Sequence, residues 1–409
     1  IYMTNKQIFI SKDFLVFFII ASLIFANLFS SPFFGVLDEL IGIFSLLVLL
    51  FSFIRSKLKK EIFNIIILLL VLLIVGWLSN LFSGVERTPI EIIIDTIIYM
   101  KPIVIFSAIL QLSEKNTLYN IRKMLKIPII IFFMLSFVCM LLNFFGVLNM
   151  TQETVWGIRN YKFIFQFPVA FAIFVYSMYG LILDPTKKIF SSISFFIVTI
   201  LIFSTLKAQS IFFIVMFVGT TILGYLQKKN FKLRSMIGIC LTGVILVIPS
   251  LLNYFVTDAF SPRSILFKDA IQIFIKYFPF GSGFATFGSP IASQAYSPLY
   301  WNYGYQYLYG MGENGDVSFL NDNFFSSLIG QLGFLGLVIF VCLIYLILQR
   351  ILKNKISRNY QIFSIAGFIS LLAVNLASSF FTSAIGALLM GIIALVNSSK
   401  LRTNEIKED

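Results

Sequence analysis

The chain has 409 residues; 59% are hydrophobic, 12% are charged, and the formal net charge is +13. No soluble domain needs so much apolar matter, so a polytopic, all-α membrane protein is the first expectation. The chain contains 49 Phe and no His, which removes the commonest general base and the commonest metal ligand. A basic chain can suit nucleic acid, but here Lys and Arg sit between apolar runs. Membrane topology accounts for them first, and no nucleic-acid partner is expected. Cys139, Cys240 and Cys342 all fall in apolar runs with no pairing pattern or zinc spacing, and they read as core filler.

In chain order, apolar runs of about 17 to 25 residues predict twelve membrane-spanning helices. They cover 12–30, 33–54, 62–82, 90–112, 128–148, 163–183, 189–206, 209–226, 236–255, 324–348, 361–379 and 382–397. The last two form one continuous apolar stretch in which only "SSFFTS" suggests a turn. The first run has no small-residue cleavage site and is expected to stay as a span. With the N-terminus placed inside, every inner segment is basic, so both termini are expected in the cytoplasm. Residues 1–255 then hold spans one to nine. Residues 256–323 form one long extracytoplasmic loop, and 324–409 the last three spans and a cytoplasmic tail. No matched Gly/Pro interruptions of the inverted-repeat transporter kind are present.

Seven cations break the topology rule by lying outside: Arg87, Arg159, Lys162, Lys207, Arg263, Lys268 and Lys276; Lys101 is mid-span. Ser261 and Pro262 read as the cap and first residue of a helix. Arg263 follows at once, where the helix dipole disfavours positive charge. At 100° per residue, Leu266, Phe267, Ala270, Ile271, Phe274, Tyr277 and Phe278 share the face of Arg263, with Lys268, Asp269, Gln272 and Lys276 opposite. An arginine on a greasy stripe at a helix start needs an anion, either a ligand or a neighbouring carboxylate. Lys207 lies in the tight turn "FSTLKAQS", and Arg159 in "WGIRNYKFIFQFP" before a span. Either could simply meet lipid headgroups. Intramembrane Lys101 needs a partner, with Asp38, Glu39, Glu91 and Asp95 as candidates. Several outer cations together suggest a multiply charged anion such as a phosphate, held by side chains. No Walker-type loop or acidic metal cluster accompanies them, so neither metal nor cofactor is expected.

The stretch "AYSPLYWNYGYQYLYG" carries Tyr300, Trp301, Tyr303 and Tyr305 among seven aromatic residues, and its alternation predicts an extended segment. Such rings suit sugars; an interfacial belt is the plainer alternative. Glu313, Asp316 and Asp322 close the loop. Without His, one of these carboxylates is the natural proton acceptor for a sugar hydroxyl, Asp322 first. Asp322-Asn323 also suits a helix cap.

The ordered segments "SPRSILFKDAIQIF", "PFGSGFATF", "YSPLYWNYG" and "FLNDNFFSSLIGQLGFLGL" resemble the O-antigen and capsule repeat-unit polymerases (Wzy-type) and the related O-antigen ligases. The detailed likeness covers about residues 155–340. It includes the turn through Pro279, Gly281, Gly283 and Phe284 and the element starting at Gln331. Lys207 stands where the family has a Ser-Arg turn. The resemblance implies a GT-C-like fold in a bacterial cytoplasmic membrane. It also implies transfer of a glycan from an undecaprenyl-pyrophosphate donor, with Arg159, Lys207 and Arg263 on the pyrophosphate. Flippase and chain-length-regulator proteins would be partners alongside membrane lipids. The ligases often carry His-Asn where this chain has Asp322-Asn323. A ligase, differing in its acceptor, and a lipid-linked oligosaccharide transporter are the alternatives.

Overall fold

The computed structural model describes residues 11–29, 35–155, 157–226, 238, 240–245, 261–313, 317, 319–353 and 356–398. The chain is mostly helical. The first part of the chain forms α1 (Lys12–Leu28), α2 (Leu37–Ile54), α3 (Lys60–Ser83), α4 (Pro89–Leu112), α5 (Thr117–Phe144), α6 (Pro168–Ile182), α7 (Ile193–Phe203) and α8 (Ala208–Leu226) of the bundle. After it come α9 (Pro262–Lys276), α10 (Pro290–Gln294), α11 (Pro298–Asn302), α12 (Phe324–Lys353), α13 (Arg358–Val374) and α14 (Ala384–Ser398). The two strands form one small hairpin, β1 (Thr154–Val155) against β2 (Ile158–Arg159).

Among the described residues six helices, α2, α3, α4, α5, α8 and α12, are long and apolar enough to cross a membrane. Their outward faces agree: Leu47, Phe51, Ile74, Phe82, Ile131, Met134 and Val341 are all about half exposed or more. Burial in acyl chains is the environment that suits such a surface. The predicted span 236–255 falls mostly outside the described residues; each other predicted span has a helix over much of its length. Helix α5 starts at Thr117, well before the predicted 128, so Arg122, Lys123 and Lys126 are helical rather than in a loop.

Helix α4 is the buried axis. It packs against α2, α3 and α14, and most of its residues from Asp95 to Leu112 are buried. Its entry is fixed by a capping box, Thr88 with Glu91, followed by Pro89 at the first helical position. Lys101 finds its partners here: its Nζ meets the Asp38 carboxylate and lies 2.7 Å from Glu39 Oε1.

The loop after residue 260 has its own core of Leu266, Ala270, Ile273, Phe287, Tyr300, Tyr305 and Leu320. It is latched to the bundle at the Pro-x-Gly-x-Gly-Phe turn. Ser282 N–H donates to Gly330 O at 2.9 Å, and Gly283 N–H to Gln331 O at 2.8 Å. Helix α12 is kinked there by Gly333 (φ 59°, ψ −154°). A Cβ on Gly281 would stand 2.5 Å from the Gly333 nitrogen, so only glycines allow the approach. Asn80 of α3 closes the latch, donating to Phe284 O and accepting from Phe284 N–H at 2.9 and 2.8 Å.

Three expectations for this loop fail. The tyrosine-rich stretch is not extended: it forms α11 and a turn at Tyr305–Tyr307, because Ser297 caps a helix opened by Pro298. Tyr300 and Tyr305 are fully buried, so their faces are closed to a glycan. Tyr300 Oη accepts from Gly288 N–H at 2.8 Å, and the Tyr305 hydroxyl donates to Asp269 Oδ2 at 2.8 Å. Asp269, expected on the polar face of α9, is itself buried.

Candidate active site

A cavity of about 390 Å³ opens at the end of the bundle that carries the 261–322 loop. Lys207, Arg263 and Asp322, from three distant parts of the sequence, all line it. Gln152, Gln209, Asn321, Ser378, Ser379 and Ser383 add polar groups, and Phe167, Pro168, Val169 and Phe380 add apolar wall.

Two short helices start at the cavity wall. Helices α6 and α14 have 15 residues each, about 22 Å long at 1.5 Å per residue, against a hydrocarbon core of about 30 Å. Non-helical backbone at membrane depth is tolerated where it lines a polar cavity. Here Phe167 and residues Ser378, Ser379, Phe380 and Ser383, each leading into one of those helices, line the cavity. The turn suggested by "SSFFTS" is therefore part of the cavity wall.

Five helices begin at this space. Helix α6 starts beside Phe167 and Val169, α8 beside Lys207 and Gln209, α9 at Arg263, α12 just after Asp322, and α14 just after Ser383. Each start carries roughly half a positive charge. Helices α9 and α12 are capped, since Ser261 Oγ accepts from Ser264 N–H and Asn323 Oδ1 from Ser326 N–H. Helix α6 has no side-chain cap and opens on proline, leaving its first amides available.

The two cations of the cavity are paired with carboxylates. Arg263 Nη2 lies 2.9 Å from Asp322 Oδ2, both side chains about a quarter exposed. Lys207 Nζ lies 2.7 Å from Glu153 Oε1. Of the two partners open to Arg263 in the sequence, a ligand or a neighbouring carboxylate, the structure shows the carboxylate. Burial holds the Asp322 carboxyl above its ordinary value, with Arg263 opposing. Its acid form therefore persists to higher pH than in water.

Arg159 does not line the cavity. The β1–β2 hairpin carries it to the C-terminal end of α5, where its guanidinium passes Gly146. Carbonyls at a helix end attract a cation, so its expected place beside Lys207 and Arg263 is not where it sits. Glu313 is exposed and away from the cavity, and Asp316 lies outside the described residues. Trp301 is exposed and Tyr303 half-buried; neither lines the cavity. Glu153, Gln152 and Gln209 were not singled out in the sequence. Gln209 follows Lys207 at the mouth of a span, which is the one local signal that could have marked it. Among the described residues no group of His, Cys, Asp and Glu is placed to hold a metal ion.

No protein-family model matches the chain, and no curated protein matches it at a significant level.

Proposed function

We propose that this protein is a metal-independent glycosyltransferase of the repeat-unit polymerase kind. It would join undecaprenyl-pyrophosphate-linked oligosaccharides into a surface polysaccharide (capsule, exopolysaccharide or O-antigen) at the outer face of a bacterial cytoplasmic membrane. On this reading the fold is GT-C-like with about twelve spans, and both termini are cytoplasmic. The observation that carries the reading is the meeting of Lys207, Arg263, Asp322 and five helix starts in one cavity. Ion pairs at the other end of the bundle, Lys12–Glu114 and Arg350–Glu61, involve cations expected inside, which supports the reading of the cavity as an outer-face site.

The ion pairs suggest how the site would work. A diphosphate drawn by the helix ends competes with Asp322 for Arg263 and with Glu153 for Lys207. Asp322, released from its cation, becomes the stronger base as the donor arrives. It then takes the proton of the acceptor hydroxyl while that oxygen attacks the anomeric carbon. The bond from that carbon to the pyrophosphate oxygen breaks, and the leaving anion keeps the electron pair beside Arg263, Lys207 and the α6 amides. No general acid is needed. A lipid-linked oligosaccharide carrier would call for a central cavity reaching both sides, whereas this one lies at one end. A ligase would share the donor chemistry and differ in its acceptor.

The test is Arg263→Ala combined with Lys207→Ala in purified protein supplied with lipid-linked repeat units alone. Loss of polymer with accumulation of single units is expected. Polymer of unchanged length would exclude the reading, and no lengthening by the unaltered protein would favour a carrier.

A further inference from the structure

Helix α9 divides into three sectors, at 3.6 residues per turn. Leu266, Asp269, Ala270 and Ile273 face the protein and are buried. Lys268, Gln272 and Lys276 form an exposed polar stripe. Between these lies an apolar stripe that the described residues leave largely uncovered. Ile271 is 41% and Ile275 69% exposed, with Phe274 half-buried, and Phe278 just past the helix end is 61% exposed.

This stripe continues the lipid-facing surface of the bundle. The Phe278 ring lies 5.8 Å from that of Phe334, a 43%-exposed residue of α12. The next ring, Phe280, lies 5.1 Å from Phe82, an exposed residue near the end of α3. An apolar edge beside a basic edge is the pattern of a helix lying at a membrane surface. A two-fold pairing of this face with a second copy would bring the lysine stripes of both copies to one interface. Phosphate headgroups above an acyl layer complement both edges at once.

We infer that α9 is seated in the lipid leaflet at the cavity end of the bundle. Ile271, Ile275 and Phe278 lie among acyl chains, and Lys268 and Lys276 lie at headgroup phosphates. The loop thus docks on the membrane itself, and α9 runs from the cavity, where Arg263 stands, into the leaflet. The inference needs only the membrane reading, not the proposed chemistry.

The experiment uses the full chain with Cys139, Cys240 and Cys342 replaced by Ser, reconstituted in phosphatidylethanolamine–phosphatidylglycerol vesicles. Nitroxide labels are placed in turn through Ile271→Cys, Ile275→Cys and Gln272→Cys. Labels at 271 and 275 should collide several-fold more with oxygen than with an aqueous nickel chelate, and the label at 272 the reverse. Nickel access at 271 and 275 equal to that at 272 would overturn the inference. So would low access to both reagents. In that case, dipolar broadening that vanishes on dilution with unlabelled chain would assign the face to a second copy, and no broadening would assign it to the chain's own residues. If one substitution prevents folding, the other carries the same reading.

Discussion

Lys101 and Arg263 are both cations in places that membrane topology disfavours, and both end beside carboxylates. Lys101 is 3% exposed, clasped by Asp38 and Glu39 in the middle of the bundle, and Gly42 leaves room for its side chain. Arg263 and Asp322 are each about a quarter exposed and line an open cavity with Lys207. Pairing therefore does not separate a structural charge from a functional one. Exposure of the cation itself differs: the Lys101 side chain is 3% exposed against 24% for Arg263, although its partner Glu39 keeps 19%.

The largest effect that would break this contrast is chemical. Asp322→Asn should lower the polymerisation rate by about 10²–10⁴-fold, the usual range for a lost general base, with the thermal midpoint little changed. A rate within a few-fold of the original would remove Asp322 from the chemistry. Lys101→Met should act on stability instead. It leaves the buried Asp38 and the partly buried Glu39 without a cation, at a cost of about 3–5 kcal/mol, measured by unfolding in detergent. Adding Asp38→Asn and Glu39→Gln should restore most of the loss, and failure to do so would point to a role for Lys101 beyond packing.

A third measurement concerns the loop core. Tyr305→Phe strips the buried Asp269 of its hydrogen bond and should cost about 1–3 kcal/mol without raising KM. A pure KM effect would return Tyr305 to the glycan. The pH profile sharpens the Arg263–Asp322 pair. Because burial raises the Asp322 carboxyl and Arg263 opposes this, activity that needs the carboxylate should fall on acidification above the ordinary carboxylate range. Arg263→Gln removes the opposing influence and should move that limb to higher pH in whatever activity remains. The smallest effect is expected from Glu153→Gln, which frees Lys207. With Glu153 nearly half exposed, the gain in donor affinity should stay within about 1 kcal/mol, read as a lower KM.

Much of the fold was legible because a bilayer imposes simple rules on sequence. Apolar runs located the helices, and Ser261-Pro262 marked the start of α9. The two motifs at Pro279 and Gln331 were visible as separate signals; that one plugs into the other depends on backbone approach at Gly281 and Gly333, which no local pattern encodes. The candidate site was half legible. Lys207 and Arg263 stood out as cations on the disfavoured side, and Asp322 as a carboxylate at the mouth of a span in a chain without His. Glu153, Gln209 and the serines of 378–383 are ordinary residues in sequence and gain meaning only from the cavity they share. The aromatic stretch misled because alternation of tyrosines imitates a strand, while Ser297-Pro298 starts a helix.

Sequence by itself determined that this chain lives in a membrane, where most of its helices run, and which charges are out of place, because solvation cost is a property of each residue. Tertiary structure decided which of those charges meet, which are sealed and which stay accessible. It also brought five helix starts to one point. Those outcomes depend on distances between segments that are far apart in the chain, and hydropathy and local propensity carry no record of them.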